Sequence, residues 1–216
     1  MISPVLANVY LHYVLDLWAE KIVRKRNRGA MVYMRYADDF VVGFEYGDDA
    51  EQFYRELSGR LSKFGLSMAE DKSAILLFSR CDVKGGGCFT FLGFEFYWGN
   101  TRHGKTTVKR RTSKKKFRAS LANLKEWLGK NRSRPLKVLA MTLRRKFLGY
   151  FNYYGVIGNS DRLWRYWRES RRLIFKALNR RSQRNSYNWA TFDQMWKTLA
   201  ISGPKVIEKP YNQHHQ

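Results

Sequence analysis

Two adjacent aspartates, Asp38 and Asp39, are the residues whose types and spacing point most directly to chemistry. They lie in MVYMRYADDF, residues 31–40, where aromatic and β-branched neighbours favour a half-buried strand. Burying two like charges side by side is costly without a counter-ion. Because Mg²⁺ prefers hard oxygen ligands, the pair could hold a divalent metal at the tip of a hairpin. The alternative is a solvated hairpin tip with no chemical role.

Two helices and a hairpin are predicted to position this pair. The segment SPVLANVYLHYVLDLWAEKIVRK, residues 3–25, has apolar residues at helical spacing and Pro4 at the first helical position. Residues 30–46 predict two strands joined by a tight turn at Ala37, Asp38 and Asp39. Residues 47–65 predict an amphipathic helix.

Two further strands are predicted after the second helix, at AILLF, residues 74–78, and at FTFLGFEFYW, residues 89–98. The order helix, hairpin, helix, strand, strand indicates an α+β fold in which helices back one antiparallel sheet. From residue 105 onward the periodicity becomes helical.

The second half of the chain predicts a small helical bundle with a basic exterior. Ser160 is the predicted cap of its third helix. The aromatic rings are expected to be mostly bundle core rather than surfaces for base stacking. The apolar stripes are Phe117, Leu121, Leu124 and Leu128; Leu139, Leu143, Phe147, Tyr150, Phe151 and Tyr154; Leu163, Trp164, Trp167, Ile174 and Leu178; and Phe192, Met195 and Trp196. The tail, residues 201–216, has no periodicity.

The charge is concentrated in one part of the chain, whose total is +23. Residues 1–101 carry 12 Lys/Arg against 13 Asp/Glu, whereas residues 102–184 carry 26 against 3. A neutral half followed by a strongly basic one suggests one module for chemistry and one that binds a polyanion, with nucleic acid favoured over a membrane surface.

Cysteine usage and hydropathy narrow the class of protein. Cys81 and Cys88 cannot build a disulfide framework, and their spacing is not typical of a zinc site. The N-terminus does not resemble a signal peptide, and no apolar stretch is long enough to cross a bilayer. The expectation is a reduced, cytoplasmic protein without a membrane partner.

Four stretches occur in an order and at spacings that resemble one enzyme family. They are ISPVLANVYL, YMRYADDFVV, GLSMAEDKS and FTFLGFEF. In this succession they resemble the reverse transcriptases encoded by group II introns, whose palm carries similar motifs. The basic half, with LKEWLG and FLGYFNYYG, resembles the maturase-specific thumb, domain X, of the same family. The resemblance implies a partial palm over residues 1–101, a helical thumb over 102–200 and a tail over 201–216.

The resemblance also implies roles for individual residues. Asp38 and Asp39 would bind Mg²⁺ at the polymerase centre, and Lys72 would lie near the incoming triphosphate. The nucleotide and primer would meet Tyr36, Ala37, Phe91, Leu92 and Gly93, and the template would lie over the helix of Ser3, Pro4 and Asn8. The alternative for Lys72 is a surface ion pair with neighbouring acids. The alternative for the FLGF aromatics is burial in the core.

RNA binding is expected along the basic segments KRRTSKKKFR and RESRRLIFKALNRRSQR and on the helix between them, because Arg- and Lys-rich helices suit phosphate and 2′-hydroxyl contacts. The candidate residues are Lys109, Arg110, Arg111, Lys114, Lys115, Lys116, Arg144, Arg145, Arg171, Arg172, Arg180 and Arg181.

The family places a further metal-binding Asp and the fingers upstream of the SP helix. The chain is therefore interpreted as the C-terminal part of a group II intron RNA-directed DNA polymerase and maturase. Its expected partners are intron RNA and an RNA/DNA primer–template, with an N-terminal half possible in trans, and little polymerase activity is expected alone. The alternatives are a non-catalytic RNA-binding maturase fragment that aids intron folding and, more remotely, a nucleotidyl-cyclase-like palm.

Overall fold

The computed structural model describes residues 3–80, 87–101, 103–181 and 187–209. Its α+β class confirms the prediction. The chain divides by contact into two compact units, Met1–Leu92 and Gly93–Gln216. The predicted functional boundaries at residues 101 and 200 stay predictions.

The described elements follow one another in a simple order. They are α1 (Ser3–Leu11), two π-helical segments (His12–Asp16 and Ala19–Val23), α2 (Arg24–Arg26), β1 (Met31–Tyr36), β2 (Asp39–Phe44), α3 (Gly47–Ser62), a 3₁₀ turn (Glu70–Lys72), β3 (Cys88–Phe91), β4 (Phe94–Asn100), β5 (Thr106–Thr112), α4 (Lys114–Asn131), α5 (Leu136–Tyr154), α6 (Ser160–Asn179) and α7 (Trp189–Thr198).

The first unit is built on a helical run from Ser3 to Arg26, which confirms the predicted long helix. Its two π-helical segments widen the backbone, and the guanidinium of Arg60 on α3 donates to the carbonyl of Val14 at 2.9 Å. The run, the β1–β2 hairpin and α3 share one core. Its buried members are Val14, Leu15, Trp18, Ala19, Val23, Met31, Phe53, Leu57 and Leu61.

The second unit packs α4 to α7 around a core rich in aromatic rings, as the helical stripes predict. Phe147 on α5 contacts the rings of Tyr166 and Trp167 on α6 and that of Trp196 on α7. Trp164 is an exception to its predicted stripe, because half of its surface is exposed. The four predicted helices of the bundle are confirmed.

One strand prediction and one helix prediction were wrong. Residues 74–78 form no strand, although the segment is apolar. Residues 106–112, predicted helical, form β5, which pairs with the whole of β4 from Phe94↔Thr112 to Asn100↔Thr106. The β-branched residues of TTV suit this pairing better than a helix. The described strands therefore form two small antiparallel sheets rather than one.

Two local predictions in the second unit also need correction or extension. The N-cap of α6 is the buried Asn159 rather than Ser160. The tail has no regular structure from Ile201 to Lys209, as predicted, yet it is packed: Ile201 is buried, and Glu208 pairs with Arg110 and accepts a hydrogen bond from the Ile157 amide at 2.7 Å.

Cys88 is exposed, whereas Cys81 lies outside the described residues. No helix in the described part of the chain has the length and hydropathy needed to cross a membrane.

Candidate functional site

Asp38 and Asp39 lie at the tip of the β1–β2 hairpin, as predicted. The register pairs Tyr36 with Asp39, so the turn contains only Ala37 and Asp38, and Asp39 is the first residue of β2. Ala37 has φ 54°, the left-handed conformation that a two-residue hairpin turn requires at its first position. Both aspartates are exposed to solvent. The hairpin thus presents two adjacent carboxylates to whatever binds at its tip.

The strand register also determines which side chains share a face with Asp39. Tyr36 lies opposite Asp39, and Met34 and Val32 follow on the same face of β1. These three apolar side chains are about half exposed or more, at 66%, 47% and 57%. The opposite face carries Tyr33 and other residues that pack on the core of the first unit. Asp39 therefore ends an exposed, largely apolar strip.

A second charged pair supports the turn from the core side of the hairpin. Arg35 donates from Nε and Nη2 to the two carboxylate oxygens of Asp16, each at 2.6 Å. Its Nη1 donates to the carbonyl of Ala37 at 2.7 Å and to the amide oxygen of Asn8 at 2.9 Å. The hydroxyl of Tyr33 also donates to Asp16, at 2.7 Å. The guanidinium thus joins the first helical run to the turn that carries Asp38.

The electrostatics of this pair follow from its geometry. The hydrogen bonds from Arg35, with smaller contributions from Tyr33 and His12, outweigh desolvation and lower the pKa of Asp16 to about 2. Burial, followed by the hydrogen bond to Asp16, raises the pKa of the Tyr33 hydroxyl well above its usual value. Asp16 is therefore an anion committed to Arg35.

The residues predicted to lie under the template are on α1. The amide nitrogen of Asn8 donates to the Pro4 carbonyl at 3.1 Å, while its oxygen accepts from Arg35. Asn8 is thus linked to the hairpin, and Pro4 holds Asn8 in place through its carbonyl. Ser3 is the first residue of the helix.

The two carboxylates at the hairpin tip are suitable ligands for a divalent metal, but they are fewer than a metal site needs. Two exposed carboxylates supply hard oxygen ligands of the kind that Mg²⁺ prefers. Across the described ranges, no group of three or more His, Cys, Asp or Glu side chains could hold a metal ion. Asp38 and Asp39 would therefore be ligands in a site that needs a further donor.

Lys72 forms no hydrogen bond or ion pair with Asp16, Arg35 or Asn8 in the described part of the chain. It ends the 3₁₀ turn Glu70–Lys72, its side chain is exposed, and no described acid forms an ion pair with it. The ion pair with neighbouring acids, the alternative for this residue, is absent here. No hydrogen bond joins Lys72 to the hairpin tip, and its role stays a prediction.

The residues Leu92 and Gly93 form the two-residue turn that follows β3, with φ of 49° and 80°. Both φ values are positive, as in a type I′ turn. Gly93 is buried, and a Cβ there would lie 3.1 Å from the Tyr154 hydroxyl. Phe91 is partly buried at the end of β3. Gly93 is thus required by the backbone and by packing, whatever its role with a primer.

The predicted RNA-binding residues fall into two sets. Seven are held by other groups of the second unit. Lys109 donates to the Asn100 carbonyl, Arg110 pairs with Glu208, Arg111 with Glu95, Arg144 donates to the Leu199 carbonyl, Arg171 pairs with Asp193, Arg172 with Glu169, and Arg181 donates to the Arg134 carbonyl. Lys114, Lys115, Lys116, Arg145 and Arg180 are exposed, and no acid of the described chain pairs with them.

Sequence reasoning missed the support of the turn by Asp16, Arg35 and Asn8. One signal for it was present: Arg35 occupies a core-facing position in the alternation of β1, where a charge requires a partner. Asp16 interrupts the apolar run VLDLW in the same way. Pairing the two across the hairpin required the register and the π-helical geometry, which the sequence does not display.

Comparison with known proteins extends the assignment for the first unit. A search of curated proteins found no match to the chain. Residues 1–96, which contain the Asp38–Asp39 hairpin and the network that supports it, match the family model for reverse transcriptase (RNA-dependent DNA polymerase).

Proposed function

We propose that this chain takes part in RNA-directed DNA synthesis and in splicing as the C-terminal part of a group II intron reverse transcriptase and maturase. The observation that carries the proposal is the hairpin with Asp38 and Asp39 at its tip, inside a segment that matches the reverse transcriptase family. The basic second unit supports the maturase part, because intron RNA is a polyanion.

Asp38 and Asp39 would hold Mg²⁺ in the active polymerase. Bound Mg²⁺ supplies stabilisation of the charge that develops on the attacking and leaving oxygens during nucleotidyl transfer. The chain's own residues present the two carboxylates from a two-residue turn and place Tyr36 opposite Asp39. The exposed strip of Tyr36, Met34 and Val32 offers an apolar surface for the sugars and bases of a primer–template.

A partner is needed because the described residues bring two carboxylates to the tip, and a two-metal site uses more. We propose that a further carboxylate comes from an N-terminal palm segment, and that such a segment can act in trans. Exposed apolar side chains on α1, among them Val5, Leu6 and Val9, provide a surface for it. Residues 1–216 alone would then show little synthesis.

The test is primer extension on an RNA template with Mg²⁺, with and without an added polypeptide that carries fingers and the first palm strands. Extension should require the added polypeptide and fall by at least about 100-fold in Asp38→Ala, since one metal ligand is lost. Glu51→Ala, which removes an exposed carboxylate from α3, should have no effect. Extension that survives Asp38→Ala would contradict the polymerase assignment.

A non-catalytic role in RNA binding is the second candidate function. It is favoured by the five of the twelve candidate cations that are exposed and have no acidic partner among the described residues. Binding to intron RNA should then fall steeply with salt and should survive Asp38→Ala unchanged. Equal affinity for intron RNA and an unrelated structured RNA would leave only a general basic module.

A further inference from the structure

The carbonyl of Ala37 is the one backbone group of the turn held by a charged side chain. It accepts a hydrogen bond from Arg35 Nη1 at 2.7 Å. The next two residues along the chain are Asp38 and Asp39, so movement of this peptide group would move both carboxylates. We propose that Arg35 is a positioning residue that fixes this turn so that Asp38 and Asp39 can bind a divalent cation, an inference that rests on the proposed function.

The guanidinium of Arg35 is also held in place by a group outside the turn, the carboxylate of Asp16. Two parallel bonds of 2.6 Å join it to Asp16, and only 11% of its side chain is exposed. A bidentate Arg–carboxylate pair fixes the plane of the guanidinium, which a lysine cannot reproduce. With Nε and Nη2 committed to Asp16, Nη1 is left to hold the turn. Asn8 accepts from the same nitrogen and limits its rotation.

The turn needs such support because its backbone is not relaxed. Ala37 has φ 54°, a conformation that costs an L-residue free energy relative to glycine. Exposed hairpin tips are also among the most mobile parts of a fold. A bond from a fixed guanidinium to the Ala37 carbonyl therefore restricts a segment that would otherwise sample several conformations.

Support of this kind acts on metal affinity through the ligands rather than by contact with the metal. Groups that orient metal ligands contribute strongly to affinity, and their loss weakens binding by about 10- to 100-fold. Arg35 lies on the core face of β1, whereas Asp39 lies on the exposed face, so the guanidinium does not compete with the cation for Asp39. Its charge is already balanced by Asp16.

The experiment titrates the full chain with Mn²⁺ and follows two signals: free Mn²⁺ by electron paramagnetic resonance, and the broadening of the Ala37, Asp38 and Asp39 amide resonances. Arg35→Lys keeps the charge but cannot make the fork, and we expect its Mn²⁺ affinity to fall by about 10-fold. Arg24→Lys is the matched control. Arg24 forms an ion pair with Glu20, and both residues are on the helical run Ser3–Arg26, away from the turn. That control should bind as the wild type does.

Relaxation of the amide nitrogens is also measured in the wild type, so this test does not depend on whether the Arg35→Lys variant folds. The Ala37 and Asp38 amides should be as ordered on the ps–ns timescale as those of β1 and β2. In Arg35→Lys the same amides should become mobile while the resonances of Trp18 and Phe53, in the core of the first unit, stay in place. Wild-type Ala37 and Asp38 amides as mobile as an exposed loop would overturn the proposal.

The metal site and the positioning role of Arg35 are contradicted by different results. If Mn²⁺ fails to broaden the Asp38 and Asp39 resonances of the wild type, both alone and with the added polypeptide that carries fingers and the first palm strands, the proposed metal site is wrong and the role of Arg35 toward a cation falls with it. If the wild type binds Mn²⁺ there and Arg35→Lys binds equally well, only the positioning role is overturned.

Discussion

Asp16 is a carboxyl group whose ionisation is strongly coupled to the fold of the first unit. Its carboxylate faces Arg35, Tyr33 and His12, and the pKa falls from 3.8 to about 2 on folding, chiefly through the hydrogen bonds from Arg35. A carboxyl with a lowered pKa in the folded state stabilises that state at pH values above its unfolded pKa. This stabilisation is lost as the pH falls from about 4 towards 2.

Asp16→Asn is therefore expected to destabilise the protein at pH 7, by about 1–3 kcal/mol, because Arg35 would lose its counter-charge and one of its two acceptors on this side chain. The difference in unfolding free energy between wild type and variant should be constant from pH 7 to about 5 and shrink below about pH 4. Urea unfolding of both proteins between pH 3 and 7 measures this difference. A difference that does not change with pH would contradict the assignment to Asp16.

Asn159 is the most heavily bonded buried polar side chain described in the second unit. It is 1% exposed, donates to the Thr112 hydroxyl and the Tyr154 carbonyl, and accepts from the Thr112 amide, each at 2.8 Å. It therefore joins the end of β5 to the segment between α5 and α6. No feature of the sequence IGNSD predicts the bonds to Thr112, because that residue lies 47 residues away along the chain.

Asn159→Ala should leave the buried Thr112 amide without an acceptor. The cost of one unsatisfied buried donor is about 1–3 kcal/mol, and the loss of the other two bonds adds to it. Thermal unfolding compared with Asn123→Ala, which truncates an exposed residue of α4, gives the measurement. Equal stability of the two variants would show that the Asn159 bonds contribute nothing net.

At the scale of elements, the sequence predicts what depends on local pattern and misses what depends on a partner. The hairpin of residues 30–46 and the bundle helices follow from alternation, turn residues and apolar stripes. Residues 106–112 combine three basic residues with three threonines and a valine, and pairing with β4 decides for a strand. Residues 74–78 have the composition of a strand but no strand partner in the described chain.

The candidate site shows the same division. Asp38 and Asp39 could be recognised because adjacent acids in an apolar strand are unusual and the surrounding motif is specific. The residues that support the turn could not be recognised in this way, because Arg35 and Asp16 are 19 residues apart and meet only after the hairpin packs on the helical run. Likewise, sequence assigns a charge to each of the twelve basic candidates, while the fold decides which of them are already paired.

Ser113 caps the N-terminus of α4 and joins it to the turn before β4. Its hydroxyl accepts from the Lys116 amide at 3.3 Å, its own amide donates to the Gly93 carbonyl at 3.0 Å, and the residue is 4% exposed. Ser113→Ala removes the cap and should lower the unfolding free energy by about 1 kcal/mol. Ser160→Ala is the matched control, because Ser160 starts α6 without capping it and its loss should cost under about 0.5 kcal/mol.

Over the whole molecule, the basic residues behind the net charge of +23 are not equally free to bind a partner. Seven of the twelve candidates are engaged within the second unit, whereas Lys114, Lys115 and Lys116 are exposed and lack acidic partners. These three lysines occupy the first turn of α4, which holds no acid. Positive charge there opposes the helix dipole and costs stability. Such a position is understandable if the lysines serve a bound phosphate.

Replacing Lys114, Lys115 and Lys116 together by Gln should therefore move RNA affinity and protein stability in opposite directions. With about three fewer phosphate contacts, the slope of log affinity against log salt should become shallower by up to about 2–3 units. Removing the charge from the first turn should leave the unfolding free energy equal or higher, by a few tenths of a kcal/mol per residue. Filter binding at several salt concentrations and urea unfolding give the two measurements.

The matched control replaces Lys21, Lys25 and Lys63 by Gln, which removes the same charge from exposed positions of the first unit. If RNA responds only to net charge, both triple variants should lose the same affinity and the same salt slope, and the assignment to α4 would be wrong. If the start of α4 contacts phosphate, the α4 variant alone should show the shallower slope. An α4 variant that loses affinity together with stability would instead show that the lysines act through the fold.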